Sequence, residues 1–197
     1  MSNPGGGIRR VATDERLARH AGFWWGFAEG VAFFIVPDVY ISFAALYSLR
    51  AGAIAWASSI AGSLVAIVVI WILAALPGVD YPAFLEVIPG ISTGLIGQVT
   101  AGVEAAGLPY TPFLVLGGVP LKLYGAAAFA AGLPLGSVLL WTVFARVIRI
   151  APTFLAAAAV RGLFHRHIDA RAGAWLMALA LGWVLFYVLY FGRMSRG

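Results

Sequence analysis

The chain contains no cysteine, so it can build no disulfide framework, no thiolate nucleophile and no Cys-based metal site. Charge is scarce too: 11% of the 197 residues are charged, against about a quarter in an ordinary soluble domain. Histidine is confined to His20, His165 and His167, all outside the apolar blocks, which argues against a membrane hydrolase built on histidine. No nucleophile elbow, His-Glu-x-x-His pair or Walker glycine loop occurs. The expectation is a protein that is not an enzyme and has no cofactor. His165-Arg166-His167 has neither a metal-binding spacing nor a carboxylate cluster beside it, so it reads as a solvated loop and no metal is expected.

What the sequence has in abundance is hydrocarbon. Apolar residues make up 62% of the chain and the mean hydropathy is +0.94. A chain of this length could hide so much apolar surface only by using a bilayer as solvent, and there is room for one domain. The net charge of +5 does not indicate nucleic acid. The basic residues form no single patch interleaved with aromatics; they lie mostly between the apolar blocks, where topology-setting charges belong.

Residues 1–21 read as a cytoplasmic tail with a flexible Pro4-Gly5-Gly6-Gly7 stretch, a surface helix capped by Thr13, and no cleavable signal. A single membrane domain is expected over residues 22–193. Its first segment, 22–49, is apolar but interrupted by Glu29 and Pro37-Asp38, and it splits into short helices near 22–36 and 39–49. Neither half reaches the roughly 20 apolar residues of a span. Residues 51–76 carry no charge and are long enough to cross, with Ala61-Gly62-Ser63 as a small-residue contact face. Residues 81–107 read as interfacial helices. Residues 110–131 repeat the interrupted pattern at Gly117-Gly118-Val119-Pro120, followed by Lys122. Residues 133–160 form a second span containing Arg146, Arg149 and Pro152, residues 161–171 a basic loop, and residues 172–192 a third span anchored by Trp and Tyr.

Sliding the chain by about 83 positions brings Pro37 onto Pro120, and the order of broken segment then full span occurs twice. If both broken segments are re-entrant and the N-terminus is cytoplasmic, Arg9, Arg10, Arg16, Arg19, Arg50, Arg161, Arg166 and Arg171 fall inside while Asp80 and Glu86 fall outside. That arrangement obeys the positive-inside rule and makes the halves inverted; only Arg193 and Arg196 land on the other side. The expected fold is therefore an all-α integral membrane protein: an inverted repeat of two re-entrant helical hairpins, each followed by a transmembrane helix, plus a C-terminal transmembrane helix.

Five charged residues are candidates for function. A carboxylate at the bilayer centre costs about 2.5–3.5 kcal/mol on insertion scales, which makes Glu29 and Asp38 candidates for an ion or proton relay or for partners of a buried arginine. Arg146 and Arg149 share one helix face at i and i+3, too deep to snorkel easily, and could hold a lipid phosphate or neutralise the two acids. Lys122 reads as another cation facing the same chamber. Pro37, Gly117, Gly118 and Pro120 are the expected helix breaks, freeing backbone groups toward that chamber. The many aromatic residues read as lipid-facing or anchoring.

Glu29-Gly30 through Val36-Pro37-Asp38-Val39, with the helix up to Gly62-Ser63, resembles the first half of the DedA/VTT (SNARE-associated Golgi protein) family, YqaA-like branch. Val119-Pro120-Leu121-Lys122 and Ala145-Arg146-Val147-Ile148-Arg149 resemble its second half. The resemblance covers about residues 23–161. It implies facing re-entrant hairpins and ATP-independent transport or scrambling of phospholipids or polyprenyl-phosphate lipids, with protons as a potential coupling ion. It maps the family's hairpin acids to Glu29 and Asp38 and its basic residue after the second proline to Lys122. The chain departs from the family at Leu116-Gly117-Gly118, where an arginine is often found, and Arg146 or Arg149 would stand in for it.

The expected partners are membrane lipids with anionic head groups; a homo-oligomer stays open. The expected location is the bacterial inner (cell) membrane. Two other readings stay open: a proton- or cation-coupled exporter of small solutes, which needs the acids but not the arginines, and a non-transporting membrane scaffold whose buried charges only lock helices together.

Overall fold

The structure, a computed structural model, describes residues 4–109 and 119–194. Among these the chain is all-helical and contains no strand. The helices are α1 (Pro4–Thr13), α2 (Glu15–Val31), α3 (Asp38–Tyr47), α4 (Leu49–Ala75), α5 (Tyr81–Glu86), α6 (Thr93–Ala106), α7 (Leu121–Ala130), α8 (Leu135–Ala170) and α9 (Ala172–Met194). Three of them, α4, α8 and α9, are long and apolar enough to cross a membrane.

The amino-terminal segment departs from its expected form. The run Pro4-Gly5-Gly6-Gly7 opens α1 instead of forming a flexible lead, and proline is tolerated in a first turn because its missing N–H would have no partner there. Asp14, not Thr13, caps α2: its carboxylate accepts from the Arg16 and Leu17 amides, while the Thr13 hydroxyl turns back to the Arg9 carbonyl. Ala12 is buried with Leu46, Tyr47, Ile168 and Ala172, and Arg9 pairs with Asp169 at 3.4 Å, so α1 is docked on the bundle.

The most extensive helix pair is α2 with α4. Gly22, Gly26 and Gly30 recur every fourth residue on α2 and face the small residues Ala55, Ser59, Ser63 and Ala66 of α4. A methyl group at Gly26 would strike the backbone carbonyl of Ser59, and one at Gly62 the carbonyl of Phe23. This close backbone approach is the small-residue packing that substitutes for the hydrophobic effect between helices in lipid. Gly26→Val should therefore lower stability by about 1–3 kcal/mol or more through overpacking. Gly97→Ala, with open space around it, should not. Thermal unfolding of the two variants in detergent checks this, and equal melting temperatures would refute it.

α2 stops at Val31, five residues before the expected end, and residues 32–37 are not helical. Pro37 then supplies the cap position of α3, and its carbonyl accepts from the Ile41 amide at 3.0 Å. α7 also begins directly after a proline, Pro120, which is extended where Pro37 is helical. Both α3 and α7 have ten residues, and their first residues lie 83 positions apart (121 minus 38). Gly117 and Gly118, the other expected breaks, lie outside the described residues.

α8 runs unbroken for 36 residues, through Pro152 and through all but the last residue of the stretch 161–171 expected to be a loop. Arginine and histidine are acceptable helix residues, so the end of the apolar pattern does not end the helix. At about 1.5 Å per residue α8 is about 54 Å long, well beyond a hydrocarbon core of about 30 Å, and its basic end extends past the apolar part. Arg161 donates to the Leu46 carbonyl at 3.0 Å. α3 packs against both α4 and α8, and α7 lies against α6 and α4. The interruption before α3 and the start of α7 thus meet α8 in the middle of the bundle.

Candidate functional site

Five charged side chains converge on one cavity of about 850 Å³. Glu29 reaches it from the last turn of α2, Asp38 from the first residue of α3, Lys122 from the first turn of α7, and Arg146 and Arg149 from α8. Glu29, Asp38, Lys122 and Arg146 are buried, at 5%, 3%, 1% and 2% exposure; Arg149 is half-buried. The cavity therefore gathers every charged residue singled out in the sequence.

The pairing is specific. Glu29 accepts from an Arg146 Nη. Arg149 Nη1 donates to Asp38 Oδ2 at 2.9 Å, and the Thr153 hydroxyl donates to Asp38 Oδ1 at 2.9 Å. Positions 146, 149 and 153 follow i, i+3, i+7 spacing, so one stripe of α8 supplies all three groups. Both carboxylates are neutralised by arginine. Lys122 is the only lysine in the chain, and its ammonium donates to the Phe33 carbonyl at 3.0 Å without contacting a carboxylate among the described residues. Two acids and three bases leave a formal excess of one positive charge. The segment 110–118 contains no ionisable acid or base apart from Tyr110, so it does not change this sum.

At the edges of residues 32–37 the Ala32 and Phe33 amides still donate to the Ala28 carbonyl and the Pro37 carbonyl still accepts from Ile41, while backbone groups between them find side-chain partners. Lys122 takes the Phe33 carbonyl, Trp25 Nε1 donates to the Ile35 carbonyl at 2.9 Å, and the Val36 amide donates to the Tyr187 hydroxyl at 2.8 Å. Such pairing is required wherever non-helical backbone lies away from water. Pro37 and Pro120 accordingly sit beside charged cavity residues, Asp38 and Lys122.

Several donors in the cavity remain available. Arg146 Nε is buried and has no hydrogen-bond partner among the described residues. Lys122 uses one of its three N–H groups in the protein bond described, and the Tyr187 hydroxyl accepts from Val36, leaving its own proton to donate. Both acids, by contrast, are engaged. The chamber is thus a donor-rich, net-cationic floor under mostly apolar walls.

Thr153, Ser42, Trp183 and Tyr187 were not among the residues expected to matter. Thr153 had a readable signal, since it continues the face defined by Arg146 and Arg149. Trp183 and Tyr187 were grouped with the lipid-facing and anchoring aromatics, but both line the cavity, and Trp183 Nε1 donates to Ser42 Oγ at 3.0 Å. His165 and His167 are exposed on α8, not in a loop. In comparison with known proteins, no family model matches the chain, nor does any curated protein or solved structure.

Proposed function

We propose that the protein is an ATP-independent membrane carrier, a flippase or scramblase, of phospholipids or polyprenyl-phosphate lipids. In this proposal it belongs to the DedA/VTT type, with residues 22–49 and 110–131 as opposed re-entrant hairpins and a cytoplasmic N-terminus in a bacterial inner membrane. The observation that carries the reading is the unmatched cation. A buried ammonium without a carboxylate is costly unless an anion joins it, and guanidinium and ammonium donors suit phosphate oxygens. The apolar walls suit the hydrocarbon part of an amphiphile and the polar floor suits its head group.

The pairing of the acids reshapes their roles. Glu29 and Asp38 hold Arg146 and Arg149 in place, and neither offers a free carboxylate for a transported cation. This disfavours the solute exporter. The same ion pairs favour the scaffold reading, which nevertheless leaves Lys122 and Arg146 Nε unexplained.

The test is reconstitution in phosphatidylcholine vesicles carrying fluorescent phosphatidylglycerol, without ATP, with chemical quenching of the outer leaflet. Movement above protein-free vesicles is expected, and Arg146→Gln or Arg149→Gln should cut it at least tenfold. Movement no faster than in protein-free vesicles would overturn the carrier. Cation flux that survives both substitutions would support the exporter instead.

A further inference from the structure

α9 presents two different faces. Met177, Leu181, Val184, Leu185, Val188 and Leu189 are each more than half exposed and form a continuous outer stripe. Trp175, Leu179, Trp183, Tyr187 and Phe191 are half-buried and line the cavity. A spanning helix whose outer stripe is bare hydrocarbon and whose inner stripe walls a cavity stands between that cavity and the lipid.

The attachment of α9 is uneven along its length. Its first turn is tied down: Ala172 is buried beside Ala12 and Ile168, and its carbonyl accepts from the Tyr47 hydroxyl at 2.6 Å. Beyond that turn no α9 residue from 173 to 192 is buried. Further along, among the described residues, side-chain hydrogen bonds connect it to the first half of the chain at Trp183 to Ser42 and Tyr187 to Val36, with an edge contact between Phe191 and Phe34. The Tyr187 bond reaches the non-helical residues 32–37, the same stretch whose Phe33 carbonyl holds Lys122.

We infer that the side of the cavity lined by α9 is the binding site for the hydrocarbon chain of an anionic lipid. The chain lies between α9 and α8 while its head group sits on Lys122 and Arg146. Charge complementarity names the occupant: a neutral hydrocarbon would gain nothing from the cationic floor, and a free anion nothing from the aromatic wall. The Trp183–Ser42 and Tyr187–Val36 bonds are the latches that hold the wall shut, and α9 swings from its anchored first turn when they part. This inference rests on the carrier reading for its ligand, but chain binding can be tested without any transport.

Phosphatidylglycerol with a diazirine in its acyl chain, dispersed in phosphatidylcholine vesicles with the reconstituted protein, is the probe. After illumination, peptide mapping should find adducts on the inner stripe, at Trp183, Tyr187 or Phe191, as well as on the outer one. Lys122→Met should lose the inner adducts at least fivefold and keep the outer ones, as should the same diazirine carried on phosphatidylcholine. Trp183→Phe with Tyr187→Phe should raise inner labelling severalfold. Adducts confined to the outer stripe in the unaltered protein would overturn the chain site, and inner labelling unchanged by the double variant would overturn the latches. Inner adducts without lipid movement would leave this site standing while the carrier falls. Lipid movement without inner adducts would do the reverse.

Discussion

Replacing Arg146 by methionine should destabilise the folded protein by about 3–5 kcal/mol, the largest stability effect expected of any single substitution in the cavity. Glu29 is 5% exposed, and it accepts a hydrogen bond from Arg146. Removing the guanidinium leaves a carboxylate in a low-dielectric interior without its donor. The attraction between the two groups is not the main quantity at stake, because both were desolvated to make it. The loss is dominated by the stranded charge. The double variant Glu29→Leu with Arg146→Met removes both charges and should recover most or all of the stability, since apolar replacement of a buried pair is often neutral or favourable. Unfolding followed in mixed micelles for the wild type, the two single variants and the double variant closes the cycle. A single variant as stable as the wild type would show that Glu29 is not held by this pair.

The same double variant separates a scaffold from a carrier. If the ion pair only fixes helix α2 against α8, restoring the fold restores function. If Arg146 also contacts an anion through its Nε, the double variant is well folded yet moves no lipid. Arg149 offers a contrast, because it is half-buried and Asp38 keeps a second donor in Thr153 when it is removed. Arg149→Met should therefore cost less stability than Arg146→Met.

The sequence identified the charged residues of the cavity but not their partners. An ionised side chain in an apolar run is conspicuous because it is expensive, so Glu29, Asp38, Arg146 and Arg149 stand out without any structure. Which acid meets which base depends on the rotation of α8 against α2 and α3, which no local pattern encodes. The helix break before Asp38 was legible from Pro37, yet its other edge at Val31 was not, because the apolar run continues through Phe33, Phe34 and Ile35. The contact between α2 and α4 was written in the fourfold spacing of Gly22, Gly26 and Gly30, and only its partner face on α4 was read. Helix α1 was hidden for the opposite reason: glycine-rich composition argues for a loose chain, and what holds the helix is tertiary, through Ala12 and the Arg9–Asp169 pair. Tyr187 and Trp183 carried no distinguishing mark among so many aromatics. Their polar ends matter only because non-helical backbone and Ser42 happen to lie opposite.

Lys122→Met should abolish anion-dependent function while changing stability by less than about 2 kcal/mol. Two terms oppose each other in the folded protein. Removing a buried ammonium that lacks a carboxylate partner relieves a desolvation cost, and methionine fills a similar shape. Against that, the Phe33 carbonyl loses its donor, which costs about 1–3 kcal/mol where no water can replace it. Function has no such compensation, because the substitution removes the excess positive charge of the cavity and leaves each acid balanced by its arginine. Lipid movement in vesicles and adducts on the inner stripe of α9 should both fall to the level of the protein-free or neutral-lipid control, with the melting temperature little changed. Lys122→Arg should keep a large part of the activity, since it preserves the charge and can still donate to Phe33. If Lys122→Met instead melts the protein while the surviving folded fraction moves lipid normally, Lys122 is a strut for the break before α3 and the anion must be sought elsewhere.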